Sequence, residues 1–497
     1  MRGAESVATV DTAWRDRSLL LVGAFTILRL LMMGLTGLGD SESYYWTWSR
    51  HMDLSYYDHP PMVAWLIWIS TAIGGDNAFW TRLPSAVLFV GVCWMIYLTA
   101  VSIFKSREAG FWSLVIFNLS PLFSFGALQM VPDIPAAFFW MMCVYLVVRI
   151  LDGADPLWWY AVGATLGVGL LSKYMLAPLV PSTLLMLGWH KEYRKHLRQP
   201  HIYLGGVLGL VIFIPVLAWN YIHDFPSFKF HLVNRNQETH FQLNHMGQFL
   251  GGQALYMSPL AWFGLLYVAW RVSKGLFKEG DKKFIPVFWL GVPPMIFFYF
   301  IGLWSKTSEP HWAAFGYLTP IIAWGAYFTF AKKAWLKYTV ASLVLSGILI
   351  ALVYVHTFKP ILPLKPKYDI TNLLYGWDTV GKAIEDDLKA LPGEKGKFIM
   401  AHHWVMCSQI EFATKHRDKV FCINSKTDQF DFFPETVPPA GADFIFVADD
   451  RFEEPPDAFY LFDRAEKAQK ITIFRGGAPA RQFQLYRVFG YKGQKTE

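Results

Sequence analysis

The 497-residue sequence predicts a polytopic α-helical membrane protein that ends in a small extracytoplasmic α/β domain. Only 17% of the residues are charged, whereas soluble domains carry about 25%. Apolar residues come in runs of about 20, the length that crosses a bilayer as a helix. After residue 357 the charge content returns to normal, with 20 basic and 20 acidic residues. This pattern excludes a soluble enzyme, an outer-membrane barrel and a disordered chain.

The apolar runs predict about eleven transmembrane helices in a membrane domain that spans residues 1–357. The first run has no small-residue cleavage site and is followed by many more, so we interpret it as a retained helix rather than a signal peptide. The predicted segments are residues 18–39, 79–104, 110–127, 133–151, 157–172, 174–190, 201–222, 249–271, 284–304, 313–331 and 338–357.

The positions of the basic residues predict the orientation of these helices. With the N-terminus in the cytoplasm, the inner segments carry 18 Lys and Arg residues and the outer loops carry six, as the positive-inside rule requires. The net charge of +7 therefore has a topological explanation, and no nucleic-acid-binding motif accompanies it. We expect a bacterial inner-membrane protein whose C-terminal domain, residues 358–497, lies in the periplasm.

The C-terminal domain reads as a small α/β fold without a catalytic constellation. Its cysteines Cys407 and Cys422 can pair if the domain is extracytoplasmic, because disulfides persist in oxidising compartments. The domain is predicted to contain several strands and one helix, residues 403–415. The strands are predicted at residues 398–401, 420–423, 444–448, 471–474 and 483–488.

The first outer loop, residues 40–78, carries the features that point to chemistry. Asp40 and Glu42 follow the first span directly, and Asp58 and His59 stand immediately before Pro60-Pro61. Aromatic residues fill the space between the two pairs, among them Tyr44, Tyr56 and Tyr57.

An interfacial aromatic belt with scattered acids explains the Trp and Tyr residues. It does not explain why acidic residues stand at both ends of the loop's aromatic stretch, where charges near a membrane are costly. An active site at the lipid–water boundary explains both. One carboxylate acts as general base for a hydroxyl acceptor, and a second orients the acceptor or holds a divalent ion. His59 donates to a phosphate, and the tyrosines contact a sugar.

These motifs resemble those of the GT-C class of polytopic glycosyltransferases. The similarity is to bacterial members of the dolichyl-phosphate-mannose protein mannosyltransferase superfamily, which includes the aminoarabinose transferases that modify lipid A. It is carried by the acidic motif at Asp40 and by five further segments: Tyr56–Pro61, Val131–Pro135, Leu171–Tyr174, Trp219–Tyr221 and His223–Phe228.

The resemblance implies transfer of a sugar from a polyprenyl phosphate to an acceptor on the outer side of the inner membrane, with inversion at the anomeric carbon. It implies that Asp40 is the acceptor base, with Glu42 and Tyr44 in the same pocket. The aminoarabinose transferases have Glu-Lys where this chain has Asp58-His59. The resemblance therefore supports the wider class rather than the aminoarabinose substrate, and glycolipid, lipopolysaccharide and protein acceptors stay open.

Five more residues in the outer loops are candidate substrate-binding groups. Lys173 is either a snorkelling lysine or, as the resemblance suggests, a phosphate contact. Asp133 either caps a helix or orients a substrate. Arg235 is a candidate for binding a phosphate or a sugar carboxylate, and Glu309 and His311 lie on the same outer face.

No cofactor is firmly predicted, although a divalent metal ion held by Asp58 and His240 is a candidate. The alternative function is a transporter or flippase for a lipid-linked substrate. The sequence has no internal repeat, and its ionisable groups lie at the outer membrane edge rather than at the midplane, which favours the transferase. A purely structural subunit would leave the loop motif unexplained.

Overall fold

The computed structural model describes residues 2–233, 243–305, 308–330, 333–393, 395–423, 426–434 and 437–495. Within these residues, apolar helices make up the first part of the chain, and helices with strands make up the last part. The helices are α1 (Arg2–Met33), α2 (Asp40–Arg50), α3 (Met62–Gly74), α4 (Ala78–Phe104), α5 (Arg107–Asn118), α6 (Pro121–Gly126), α7 (Asp133–Leu151), α8 (Trp158–Leu170), α9 (Leu179–Trp189), α10 (Arg194–Leu197), α11 (Pro200–Ile222), α12 (Pro226–Leu232), α13 (Leu243–Met257), α14 (Pro259–Phe277), α15 (Phe284–Trp289), α16 (Val292–Trp304), α17 (Ala314–Phe330), α18 (Lys333–Phe358), α19 (Trp377–Ala390) and α20 (Trp404–Ala413).

The strands are confined to the last hundred residues and form two sheets. They are β1 (Lys397–Ala401), β2 (Val420–Cys422), β3 (Asp443–Asp449), β4 (Tyr460–Leu461), β5 (Arg464–Arg475), β6 (Ala478–Phe489) and β7 (Gly493–Gln494). The larger sheet has the order β2-β1-β3-β6-β5. Its β1 is parallel to β2 and β3, and its β6 is antiparallel to β3 and β5. The five predicted strands and the predicted helix at 403–415 are all present, which confirms the predicted fold class.

Each of the eleven predicted membrane segments lies mostly in helix, but four of them are not continuous. The segment 110–127 is interrupted at Leu119–Ser120, just before Pro121, and the segment 174–190 at Ala177–Pro178. The segment 249–271 is interrupted at Ser258, which has a φ of 69° and precedes Pro259. Proline has no N–H to donate to the previous turn, so it begins a new helix instead of extending the old one. The segment 284–304 is interrupted at Leu290–Gly291, just before Pro293 and Pro294, for the same reason.

Five helical stretches of the described residues are long and apolar enough to cross a membrane, judged by length and composition. Shorter apolar helices accompany them, including α3. The five stretches are residues 78–104, 133–151, 200–222, 284–304 and 333–358.

The chain forms two compact units. The first, here called the membrane unit, comprises residues 1–31, 59–63 and 85–351. Its core is built from large buried side chains such as Trp140, Tyr317 and Trp324. The second, the C-terminal unit, comprises residues 32–58, 64–84 and 352–497, so it includes most of the first outer loop. The sequence-based boundary at residue 357 stays a prediction.

Within the membrane unit, α8 and α11 approach closely along matched glycines. A methyl group added to Gly163 would lie 1.8 Å from the carbonyl oxygen of Gly205, and one added to Gly167 would lie 2.6 Å from that of Gly209. Glycines four residues apart on each helix let two backbones touch, which is a common way for helices to associate in membranes. No larger residue fits at Gly163 or Gly205.

Within the C-terminal unit, α20 packs on α2, and Cys407 of α20 forms a disulfide with Cys422 of β2. The Cα atoms of the two cysteines are 5.8 Å apart, a normal distance for a disulfide. The bond ties the helix that carries Gln409 to the edge of the main sheet.

Candidate active site

The predicted acidic pair occupies the first turn of α2. Asp40 is the first residue of that helix and Glu42 is the third, where the positive end of the helix dipole stabilises carboxylates. The structure gives the two residues different partners, so their roles differ.

Glu42 is locked into a buried ion pair. Its side chain is 1% exposed and that of Arg82 is 5% exposed. Arg82 donates Nε to Oε1 at 2.8 Å and Nη2 to Oε2 at 2.7 Å. The backbone N–H of Gly39 also donates to Oε2, at 2.9 Å. Arg82 further donates to the carbonyl oxygens of Met33 and Gly37. This geometry supports a positioning role for Glu42, as a brace at the start of α2, rather than the predicted catalytic one.

Asp40 is held at both carboxylate oxygens but stays accessible. Oδ2 accepts from Arg451 Nη1 at 2.7 Å, and Oδ1 accepts from Gln409 Nε2 at 3.1 Å. Its side chain is 18% exposed. Arg451 also pairs with Asp449 at 3.0 Å. We call Asp40, Gln409, Asp449 and Arg451 the Asp40 cluster. The cluster fixes the direction of the Asp40 carboxylate, which stays partly exposed.

Electrostatics keep the arginine of this cluster charged. Burial disfavours the charged form of the guanidinium and so acts to lower the pKa of Arg451. Attraction by the Asp40 and Asp449 carboxylates outweighs this effect, so the pKa of Arg451 is raised. His403 lies nearby, stacked on Phe452 with ring centroids 4.2 Å apart. Burial, followed by repulsion from His402 and Arg451, lowers the pKa of His403 to about 4, so this imidazole is neutral near pH 7.

Tyr44 and Asp58 meet in the same unit. The Tyr44 hydroxyl donates to Asp58 Oδ2 at 2.8 Å and accepts from the backbone N–H of Gln429 at 2.8 Å. Burial and the Asp58 charge raise the pKa of Tyr44 well above its usual value. Tyr44 also packs on Trp404, with centroids 4.6 Å apart. The hydroxyl is therefore a fixed donor that orients Asp58.

The other two predicted tyrosines are packing residues in this structure. Tyr56 is fully buried, stacked on Trp48 at 4.5 Å, and its hydroxyl donates to the Trp48 carbonyl. It has no exposed surface with which to contact a sugar. The Tyr57 ring stacks on Phe432, and its backbone N–H donates to Gln429 Oε1 at 2.7 Å. Much of the aromatic loop thus forms core of the C-terminal unit rather than a membrane belt.

The membrane unit holds a second group of predicted residues, Asp133, Lys173 and His311, here called the Lys173 cluster. Lys173 Nζ donates to both oxygens of Asp133, at 2.8 and 2.9 Å. It lies 3.5 Å from His311 Nε2, which is 3.7 Å from Asp133 Oδ1. The Lys173 side chain is only 5% exposed. Asp133 is the first residue of α7, but the N-cap position is Pro132 and no side chain caps the helix. The capping interpretation of Asp133 is therefore wrong, and its role in orienting a substrate stays a prediction.

His59 lies in the membrane unit with His231 and with residues of two segments that carry the resemblance, Leu171–Tyr174 and His223–Phe228. Its ring centroid is 6.1 Å from that of His231, and the His231 ring is 5.3 Å from that of Tyr174. The Tyr174 hydroxyl is hydrogen-bonded to Ser227 Oγ at 3.0 Å.

The remaining candidates are less informative. Glu309 is exposed and precedes the 3-10 helix Pro310–Ala313, which carries His311. Arg235 and His240 lie outside the described residues. The candidate metal site of Asp58 and His240 therefore stays a prediction, and the one described member, Asp58, accepts a hydrogen bond from Tyr44.

Comparisons with known proteins agree with this architecture. Residues 58–219 match the model of the dolichyl-phosphate-mannose-protein mannosyltransferase family. Over 65% of its length, the chain is 25% identical to the lipid A galacturonosyltransferase RgtD of Rhizobium johnstonii, of which the match covers 68%. Over 52% of its length, it is 27% identical to the undecaprenyl phosphate-alpha-4-amino-4-deoxy-L-arabinose arabinosyl transferase of Pseudomonas savastanoi, of which the match covers 49%. The chain is therefore similar to GT-C type glycosyltransferases, among them the aminoarabinose transferases.

The fold of the chain is also that of a solved structure. It superposes on ArnT from Cupriavidus metallidurans with a TM-score of 0.65 at 15% identity, covering 96% of this chain and 98% of that one. ArnT bound to undecaprenyl phosphate gives a TM-score of 0.64. The predicted enzyme class and multi-pass membrane fold are confirmed. The matches span only about half the length of the arabinosyl transferases.

Proposed function

We propose that the chain transfers a sugar from a polyprenyl-phosphate donor to a glycolipid acceptor on the periplasmic face of the inner membrane. The Lys173 cluster is the observation that carries this proposal. Ionisable side chains that are buried in a membrane unit are costly and usually functional. An ammonium held by a carboxylate beside an imidazole suits an anionic phosphate better than a neutral ligand.

In the proposed reaction, the acceptor hydroxyl attacks the anomeric carbon and the bond from that carbon to the phosphate oxygen breaks. Asp40 takes the hydroxyl proton as general base, and polyprenyl phosphate leaves. Lys173 and His311 stabilise the charge that develops on the phosphate. Arg451 and Gln409 fix the Asp40 carboxylate in one orientation. Each role is assigned from the geometry of its own cluster.

A lipid acceptor is favoured by the relatives, which are named for lipid A and for undecaprenyl phosphate substrates. The periplasmic orientation is supported by the excess of basic residues in the predicted inner segments. The disulfide between Cys407 and Cys422 also favours an oxidising compartment for the C-terminal unit.

The test compares lipid extracts of four strains by mass spectrometry. One lacks the gene, and the others are restored with the native chain, with Asp40→Asn or with Asp53→Asn. The last is a matched control, a carboxylate of the same loop outside the Asp40 cluster. We expect a polyprenyl-phosphate sugar to accumulate in the deletion and Asp40→Asn strains, while the lipid A fraction loses the matching mass. The Asp53→Asn strain should match the native one.

Two outcomes would redirect the proposal. If the matching mass is lost from proteins rather than from lipid A, the acceptor assignment is wrong. If the Asp40→Asn strain has the native profile, Asp40 is not the base. A transporter for a lipid-linked substrate would then gain support, since buried charged clusters also occur in transport pathways.

A further inference from the structure

Three metal-binding side chains meet in the C-terminal unit, away from the Asp40 cluster. They are His51, which ends α2, Glu411 of α20, and His416, which follows α20. One ligand atom of each lies within 4.8 Å of the other two. Among the described residues, this is the one group of three His, Cys, Asp or Glu side chains close enough together to bind a single ion.

The backbone is shaped to bring His416 back towards Glu411. Lys415 and His416 have φ values of 55° and 53°, a left-handed conformation that non-glycine residues avoid. Two such residues in succession reverse the chain after α20, and the His416 N–H donates to the Glu411 carbonyl at 2.8 Å. The His416 imidazole then lies with Nδ1 3.9 Å from Glu411 Oε1.

The third ligand comes from the other helix and is held in place by packing. The His51 ring stacks on Phe433 at 4.1 Å and meets the His416 ring edge-on at 5.1 Å. His51 is half-buried and His416 is exposed. An ion from solvent therefore has access from the His416 side.

A second, independent observation points to a cation. Glu411 is 3% exposed. Thr47 is a polar neighbour of its side chain, but the Oε2 atom makes no hydrogen bond of normal geometry among the described residues. A buried carboxylate oxygen without a partner is costly. A cation bound between Glu411 and the two imidazoles removes that cost.

We propose that His51, Glu411 and His416 form a Zn²⁺ site that joins α2 to α20. Two imidazoles and one carboxylate are an established zinc ligand set, with water in the fourth position. Calcium and magnesium prefer sites made of oxygen atoms. Tetrahedral zinc ligands lie about 3.4 Å apart, so the three ligand atoms, now within 4.8 Å of one another, would draw closer around the ion.

The site has a consequence for the neighbouring cluster. Gln409, which donates to Asp40, lies two residues before Glu411 on α20, and Asp40 begins the helix that His51 ends. Zinc would therefore fix the pairing of the two helices that hold the Asp40 carboxylate. The proposal stands without the proposed function, because it concerns metal binding alone.

The experiment uses the full-length protein in detergent after treatment with a chelator. Zinc chloride is added, excess is removed by dialysis, and bound zinc is measured by mass spectrometry together with the midpoint of thermal unfolding. We expect one Zn²⁺ per chain and a higher midpoint. Cobalt chloride in place of zinc should give the visible absorption of a four-coordinate site.

Three variants make the test specific. His51→Ala and Glu411→Gln should each weaken zinc binding more than about tenfold; Glu411→Gln keeps the shape of the side chain, so it protects the test against misfolding. His402→Ala, a histidine of the same unit outside the group, should bind zinc like the native chain. The proposal is overturned if native protein binds no zinc at micromolar concentration, or if Glu411→Gln and His51→Ala bind it as the native chain does.

Discussion

Replacing Glu42 by Gln tests whether this residue braces the fold or takes part in catalysis. The substitution keeps the size of the side chain and removes its charge, which leaves the 5% exposed Arg82 without a counter-ion. Breaking one partner of a buried ion pair costs about 3–5 kcal/mol. For domains of 150–250 residues, 1 kcal/mol shifts the unfolding midpoint by about 2–4 °C. We therefore expect the midpoint to fall by roughly 6–20 °C.

The assay is thermal unfolding of purified protein followed by tryptophan emission, with turnover measured well below the midpoint. Turnover per folded molecule should stay within about tenfold of the native value. The double variant Glu42→Gln/Arg82→Met removes both charges and should recover part of the lost stability. A bracing role for Glu42 is excluded if Glu42→Gln leaves the midpoint unchanged while turnover falls by about 10²–10⁴, the loss expected for a proton-transfer residue.

Three other variants give distinct outcomes. Asp40→Asn should lower turnover by about 10²–10⁴. It should change the free energy of unfolding by less than about 1 kcal/mol, because the Asp40–Arg451 ion pair is partly exposed. A large fall in the midpoint of thermal unfolding would contradict this. Asp133→Asn/Lys173→Met removes both buried charges together, so it should fold but raise the KM for the polyprenyl-phosphate donor about 10- to 100-fold; an unchanged KM would exclude phosphate binding there. His403 Nδ1 accepts from the N–H of Val405 at 3.3 Å and its pKa is lowered to about 4, so the unfolded state binds the proton more readily. Stability should fall as pH drops from about 6.5 towards 4, and His403→Asn, which still caps α20, should flatten that slope in denaturation curves.

The helices and the acidic loop could be predicted because their signals are local. Apolar run length predicts a span, and carboxylates beside aromatics at its outer end mark Asp40 and Asp58. The helix breaks were missed because hydropathy does not distinguish a continuous helix from one restarted at a proline such as Pro259. The cue was present, since Ser258-Pro259 is a typical helix start.

The partners of the site could not be predicted, because they are distant in the chain. Arg451 is 411 residues from Asp40, and Gln429 is 385 residues from Tyr44. Without the fold, nothing distinguishes Arg451 from the other basic residues of the C-terminal region. The same holds for Glu42, whose pairing with Arg82 spans 40 residues and changes its expected role from catalysis to support.

The glycine contacts between α8 and α11 change how the entropy of folding is distributed. Glycine normally weakens a helix because its unfolded backbone has unusual freedom to lose. In a bilayer, each helix forms before it meets its partner. The backbone entropy of the glycines is therefore lost when the helix inserts, and not when the two helices associate. When α8 and α11 then pair through Gly163 and Gly205, no side-chain rotamers become frozen at those positions. Their association is therefore expected to carry a small entropic cost and to depend little on temperature.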